Sequence, residues 1–386
     1  MAVASAGAVA EAETLAEATI KAVVAHALEG LDVCTEPPIL TAEILGLDIG
    51  SSQAVVKGED RQSTLAVQLR GGDNLLLTLV ADGHGGAEVA DLASRRVLTL
   101  IANLAADGSA SSIKVACEAA FARAQEESLA LGKNAGCTLT VVVVNKDRRE
   151  LSCANLGDSL ALFFHEEGHL WLSTDHRIEK NSDERDRILR LGGQIGYMKV
   201  PGSFGTAGSL RCWPGSIAVA RGLGDSDCRT TEGVPLVSPV PSFYTVDMLA
   251  SGGLVLLGSD GVWDALSEKE VVNLIRSGKF GNAEKAAASV IMRVGKPIDD
   301  TTATVLLFAP PSRGGGHEMD GGFDEMDGSC HRPGWLSDSS RTTSEVLSNA
   351  FNHKRKGRTM AVRRLSDPLI TDELSVCQEA VSNTRT

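Results

Sequence analysis

The stretch NLLLTLVADGHGG, Asn74 to Gly86, runs an aliphatic segment straight into an aspartate and a histidine set among three glycines. A short apolar run bounded by turn residues reads as a strand buried on both faces. An Asp-Gly at one strand end is, taken alone, ordinary turn chemistry. Here the pattern recurs, in GED at Gly58–Asp60, GSDGVWD at Gly258–Asp264 and IDD at Ile298–Asp300. Two of the four sites follow strongly apolar runs, LLLTLV and LVLLGS. A carboxylate delivered by a buried strand is costly unless a cation neutralises it. Several such carboxylates, with no basic partners nearby in sequence, favour hard divalent ions such as Mg²⁺ or Mn²⁺. The glycines fit that reading. Gly83 can turn its carbonyl toward an ion, and Gly85 and Gly86 leave room for a substrate oxyanion. His84, two residues from Asp82, is placed to give a proton to a leaving group.

Working outward, the runs TLAVQL, TLTVVVVN, ELSCANLG, SLALFFH, LWLST, LVLLGSD and TATVLLF read as further strands. AEVADLASRRVLTLIANLAADG and KVACEAAFARAQEESLALGK read as a helix pair, DERDRILRLGG as a short helix, and SEKEVVNLI and AEKAAASVIMRVGK as a second pair. Antiparallel strands with helices in pairs between them predict an α+β fold, a central antiparallel β-sandwich flanked by helix pairs. Residues 1–43 read as a helical or flexible leader, closed by Pro37-Pro38. Residues 312–386, Gly-rich and acidic and then basic, read as a mostly disordered tail, which leaves 44–311 as the ordered domain.

Composition narrows the class. With 43% apolar residues and only 4% aromatics, Val, Leu, Ile and Ala must fill a core of ordinary globular size. The net charge of −13 argues against general nucleic-acid binding and suits cations. Eight cysteines form no C-x-x-C pair, and Cys137 and Cys153 lie in strand-like apolar runs, so buried reduced thiols are expected. No apolar run reaches membrane-spanning length, and the N-terminus reads as neither a secretory signal nor a transit peptide. The expectation is a monomer, in the cytoplasm, the nucleus or both.

The order of segments, KGEDR, VADGHGG, GCTLTVVVV, ANLGDSLA, STDHR with a following E-x-x-R-I, ARGLGD, LLGSDGVWDAL and DDTTATVLLF, resembles the metal-dependent type 2C serine/threonine protein phosphatases over Ile44 to Phe308. The resemblance implies a two-metal centre holding Mg²⁺ or Mn²⁺. Asp82 would bridge both ions, Asp260 and Asp299 would complete one site, and Glu59 with the Gly83 carbonyl would hold the other. Asp60 would act through water, and Asp158 and Asp264 match positions able to bind a third, weaker ion. His84 matches the general acid. The implied reaction is direct attack of a metal-bridging hydroxide on the phosphorus of phosphoserine or phosphothreonine in protein substrates. The sequence departs from the family pattern at Val55, where a phosphate-binding basic residue is usual. Lys57 and Arg61 are the candidates to replace it. Leu160 is a second departure, at a position where arginine is common. The competing reading is a pseudophosphatase, a binding module that keeps the fold without turnover, motivated by Val55 and the long tail.

Other motifs read as structure. HEEGH, His165 to His169, fits a zinc-protease pattern, but between FF and LWLS it reads as a hairpin turn. Asp175-His176-Arg177 reads as a structural loop. Asp225 in GLGD reads as capping or hydrogen-bonding a neighbouring loop. The basic cluster Lys354, Arg355, Lys356 and Arg358 is open to two readings, a nuclear address or a solvated charge run. RRLSD, Arg363 to Asp367, would suit a basophilic kinase acting on Ser366.

Overall fold

In the computed structural model, residues 39–42, 45–199, 206–248, 252–308 and 363–364 are described. The leader helix, most of the tail, the basic cluster and Ser366 lie outside the described residues.

The apolar runs pair into two large antiparallel sheets. The first orders β1 (Ile39–Leu40), β3 (Arg61–Gln68), β4 (Asn74–Ala81), β7 (Leu139–Asn145), β8 (Glu150–Leu156), β14 (Ser242–Asp247) and β17 (Arg363–Arg364) from edge to edge. The second orders β10 (Gly168–Trp171), β9 (Leu160–His165), β15 (Gly253–Gly258), β16 (Thr301–Phe308) and β2 (Leu47–Ala54). Side chains alternate across each strand. In β4, Leu76 and Val80 face the second sheet, where they join Val142, Cys153, Phe163, Val255 and Leu306 in the inter-sheet core. Leu75, Leu77 and Leu79 face outward, under α1 (Glu88–Leu104) and α2 (Ala110–Ala130). The second sheet turns Leu162, Leu256 and Val305 toward α5 (Glu268–Ser277) and α6 (Ala283–Val294). Both faces of each sheet are therefore covered, which is why β4 and β15 read as continuous apolar runs and not as an alternation.

Helix starts follow local chemistry. Ser109 and Asn282 accept N–H bonds from the first turns of α2 and α6, and Ser267 with Glu270 forms a capping box on α5. α3 (Ser182–Arg190) packs with the hairpin of β11 (Gln194–Lys199) and β12 (Thr206–Trp213) around Ile178, Ile188, Cys212, Cys228 and Leu236. HEEGH is a hairpin, with Gly168 opposite His165 and His169 opposite Phe164. His169 bonds Glu268 at 2.7 Å, and burial lowers His165 to about pKa 4. His176 is buried and bonded by Gly157 N–H and Ser242, and desolvation pulls it to about 3. Both histidines serve packing.

β2 carries no apolar signal in LDIGSSQA, yet it pairs with β16 over its full length. Its reason is tertiary. A Cβ at Gly50 would stand 2.1 Å from the Glu284 nitrogen, and Asp48 accepts the Ala283 N–H, so the strand is cut to receive the start of α6.

Cys153 sits almost wholly buried in the inter-sheet layer, and desolvation holds its thiol well above the ordinary range. It acts as a small apolar filler. Cys153→Ser places a hydroxyl among the apolar side chains of that layer, so chemical denaturation should show a loss of about 1–3 kcal/mol. Turnover per folded molecule should be unchanged.

Candidate metal centre

The acidic sites converge because sheet register puts their strand ends together. Arg61 pairs with Ala81 across β3 and β4, so Asp60 and Asp82 emerge side by side. Gly258 pairs with both Ala303 and Leu160, which brings Asp260, the Asp299–Asp300 turn and Asp158 to the same end of the sandwich. Thr138 ties Asp82 in place. Its N–H donates to the Asp82 carbonyl at 2.9 Å, and its hydroxyl accepts the Asp82 N–H at 3.2 Å. α4 (Asp260–Trp263) starts on the aspartate itself. Glu59 accepts the Gly86 N–H at 2.8 Å, and a Cβ at Gly83 would stand 2.7 Å from the Glu59 carbonyl. Only glycine permits that approach.

The electrostatics are those of crowded like charges. Burial, then the charges of Asp260, Asp60 and Asp158, push Asp82 well above the usual carboxylate range. Burial raises Asp260 as well, with the charges of Asp264 and Asp299 adding to it. Burial and Asp260 take Asp158 to about 7, against the pull of Arg177. Burial lifts Asp60 to about 6, although Thr302 donates to its Oδ2 at 2.7 Å. The other oxygen of Asp60 is buried without a partner. Carboxylates in this state share protons unless a cation replaces them. Among the described residues, no three His, Cys, Asp or Glu side chains close around a single point as they stand. The donor set itself is all oxygen, and with the orphaned Asp60 oxygen it fits a hard divalent cation.

Two counter-charges enter that sequence spacing did not reveal. Arg177 pairs with Asp158 at 3.1 Å and with Asp175 at 3.5 Å, and it hydrogen-bonds Asp264. The residues matched to a third ion are thus held by a guanidinium. Lys57 reaches Asp299 at 2.6 Å with its side chain half exposed, and the bond to Asp299 raises its pKa. Arg61, the other basic residue expected to meet phosphate, is committed elsewhere. It donates to the carbonyls of Gly58 and Asp60 and pairs with Asp91. Val55 is 64% exposed on the same loop.

Asp300 is a functional residue that sequence reading missed, although IDD displayed it. Its Oδ1 accepts the N–H groups of Val56 and Lys57 at 2.5 and 2.7 Å, and its Oδ2 accepts those of Glu59 and Asp60 at 2.6 and 3.2 Å. One carboxylate therefore shapes the loop that presents Lys57, Glu59 and Asp60. Burial works against its charge, but the N–H groups of Val56, Glu59, Gly58 and Lys57 win and hold the pKa well below the usual range.

His84 is about a third exposed (31%) and lies 2.7 Å, through Nε2, from Asp225 Oδ1. Burial lowers its pKa, but the carboxylates of Asp225, Asp158 and Glu59 together outweigh it, and the net shift is upward. Asp225 was expected to bond a neighbouring loop. Its partner is the ring proposed to move a proton.

The Protein phosphatase 2C family model matches residues 55–297. The chain is 33% identical over 239 residues to "Probable protein phosphatase 2C 12" of Arabidopsis thaliana, covering 59% of this chain and 53% of that protein. It is 31% identical over 240 residues to "Probable protein phosphatase 2C 3" of Oryza sativa subsp. japonica, covering 61% and 48%. The chain thus spans about half the length of the curated relatives it matches. Among solved structures, a C. elegans sex determining protein matches with TM-score 0.56 and 23% identity, covering 69% of this chain and 66% of the other. Serine-threonine phosphatase 2C from Toxoplasma gondii matches with TM-score 0.55 and 18% identity, covering 71% and 96%. These likenesses bear on the fold.

Asp300→Asn turns amide hydrogens toward backbone donors and should destabilise the protein by about 2–4 kcal/mol near neutral pH. Because the folded pKa of Asp300 is depressed, its contribution is present above the unfolded aspartate pKa and fades as pH falls toward the folded one. The gap in melting temperature between wild type and variant should be constant above about pH 5 and narrow below about pH 4.

Proposed function

This chain belongs to the protein phosphatase 2C family, and from that premise we propose that it is a metal-dependent protein phosphatase acting on phosphoserine and phosphothreonine. The observation that carries the proposal is the meeting of Asp60, Asp82, Asp158 and Asp260 at one end of the sandwich, with charges that oppose one another and a buried Asp60 oxygen left unpartnered. Asp82, Asp260, Asp299, Glu59 and the Gly83 carbonyl would hold two Mg²⁺ or Mn²⁺ ions, with Asp60 supporting them from behind. Such ions, when bound, lower the pKa of water and offset the charge that builds on phosphoryl oxygens. The chain's own groups do the rest. His84 holds a proton for the departing seryl or threonyl oxygen. Lys57, beside Asp299, offers the positive charge a phosphate would meet, and it is better disposed than Arg61 to stand in for the basic residue that Val55 replaces. Asp300 keeps that loop in register. An ion at Asp158 and Asp264 has to contend with Arg177, which accords with weak third-site binding. The five described cysteines, all buried and unbridged, support a reducing compartment, cytoplasmic or nuclear.

Val55 favours a second reading, a folded binding module without turnover. Hydrolysis of p-nitrophenyl phosphate and of a phosphothreonine peptide, in Mn²⁺ and in EDTA, separates the two. Mn²⁺-dependent turnover, reduced at least about a hundredfold in Asp82→Asn and in Asp260→Asn, is the expected outcome. A folded protein inert toward both substrates would establish the binding module instead.

A further inference from the structure

Three two-residue strands, β5 (Gly83–His84), β6 (Gly136–Cys137) and β13 (Leu223–Gly224), form a small sheet of their own beside the centre. Its register sets His84 opposite Gly136 and Gly136 opposite Gly224. Asp225 is the next residue, and so it arrives beside a histidine 141 positions earlier in the chain. Several features act to keep it there. Gln125 of α2 takes the Gly224 N–H on its Oε1 at 2.6 Å and donates from Nε2 to the Gly224 carbonyl at 3.1 Å. The Asp225 N–H donates to the Ala135 carbonyl at 3.2 Å, and the Cys228 N–H to the Asp225 carbonyl at 3.0 Å. A Cβ at Gly136 would stand 2.4 Å from His84 Nε2 and 2.5 Å from Asp225 Oδ1, so glycine clears the space for the contact.

The arrangement is unfavourable on local grounds. Asp225 has φ +49, a left-handed backbone that L residues avoid. Its side chain is 5% exposed, and its second oxygen, Oδ2, is buried with no partner. A strained, under-bonded buried carboxylate persists where surrounding structure enforces it, and such positions concentrate at functional sites. Nε2 is the nitrogen the carboxylate occupies, so Nδ1 is the ring nitrogen that Asp225 does not engage.

We infer that Asp225 is a positioning residue, holding the His84 ring by Nε2 so that Nδ1 is aimed at the leaving oxygen of the substrate. The inference rests on the phosphatase reading above. It has a consequence that a purely structural role does not share. A seryl or threonyl oxygen leaves as a strongly basic alkoxide and needs a proton, whereas p-nitrophenolate leaves unaided. The contribution of Asp225 must therefore depend on the leaving group.

The test is Asp225→Asn, which retains a residue tolerant of the left-handed backbone. With Mn²⁺ present, kcat on a phosphothreonine peptide should fall about 10- to 100-fold, while kcat on p-nitrophenyl phosphate falls less than about threefold and the peptide KM holds. The ratio of the two kcat values does not depend on how much of the variant is folded, so partial misfolding leaves the result readable. In a His84→Ala background the same substitution should add nothing further on the peptide. Equal losses on both substrates, or an undiminished effect in the His84→Ala background, would overturn the role of Asp225 alone. A wild-type chain without Mn²⁺-dependent turnover would overturn the phosphatase reading and this inference with it.

Discussion

Mutual repulsion among carboxylates is the constraint on which the rest of the structure turns. Asp82 leaves β4, a strand whose interior residues are fully buried, and meets Asp260 leaving the equally buried β15. Neither can be charged beside the other without a cation or a shared proton. The sandwich tolerates them because burial on both faces of both sheets supplies stability in bulk, far from the strand ends. Stability and site are divided by position along the same strands.

Around the acidic end, opposite charge and backbone dipoles decide which carboxylates are restrained and which are left open. Arg177 holds Asp158 and Asp264, and Lys57 holds Asp299. Asp300 is stabilised by four backbone N–H groups and so carries its charge without a cation. Asp82 and Asp260 sit against each other with further carboxylates around them, Asp60 and Asp158 beside the first and Asp264 and Asp299 beside the second. That contrast makes them the pair on which a divalent ion has the most to offer. Asp225 belongs to the same logic one step away, as a buried carboxylate whose partner is the His84 ring.

Much of this was legible in the sequence. β4, β7, β8, β9, β15 and β16 announced themselves as aliphatic runs, and α1, α2, α5 and α6 as longer helical stretches, because strands and helices covered by a core must be apolar where they touch it. The Asp-Gly pairs at Asp82 and Asp260 marked two of the acidic sites for the same reason, as polar residues abruptly following buried ones. β2, β14 and the β11–β12 hairpin gave no such signal. β2 is half exposed and indented at Gly50 for a helix start, and Tyr244 of β14 reaches Thr174 through its hydroxyl at 2.8 Å. The two-residue strands that carry His84 and Asp225 are too short for any periodicity.

The sequence by itself determined the α+β sandwich and the roster of acidic residues, since both follow from which side chains avoid water and where the chain must turn. Only the tertiary structure decided the pairings: Arg177 with Asp158 and Asp264, Asp300 with the 55–60 loop, His84 with Asp225. Those contacts join residues tens to hundreds of positions apart through sheet register. Register is a property of strands against one another, and no local spacing along the chain encodes it.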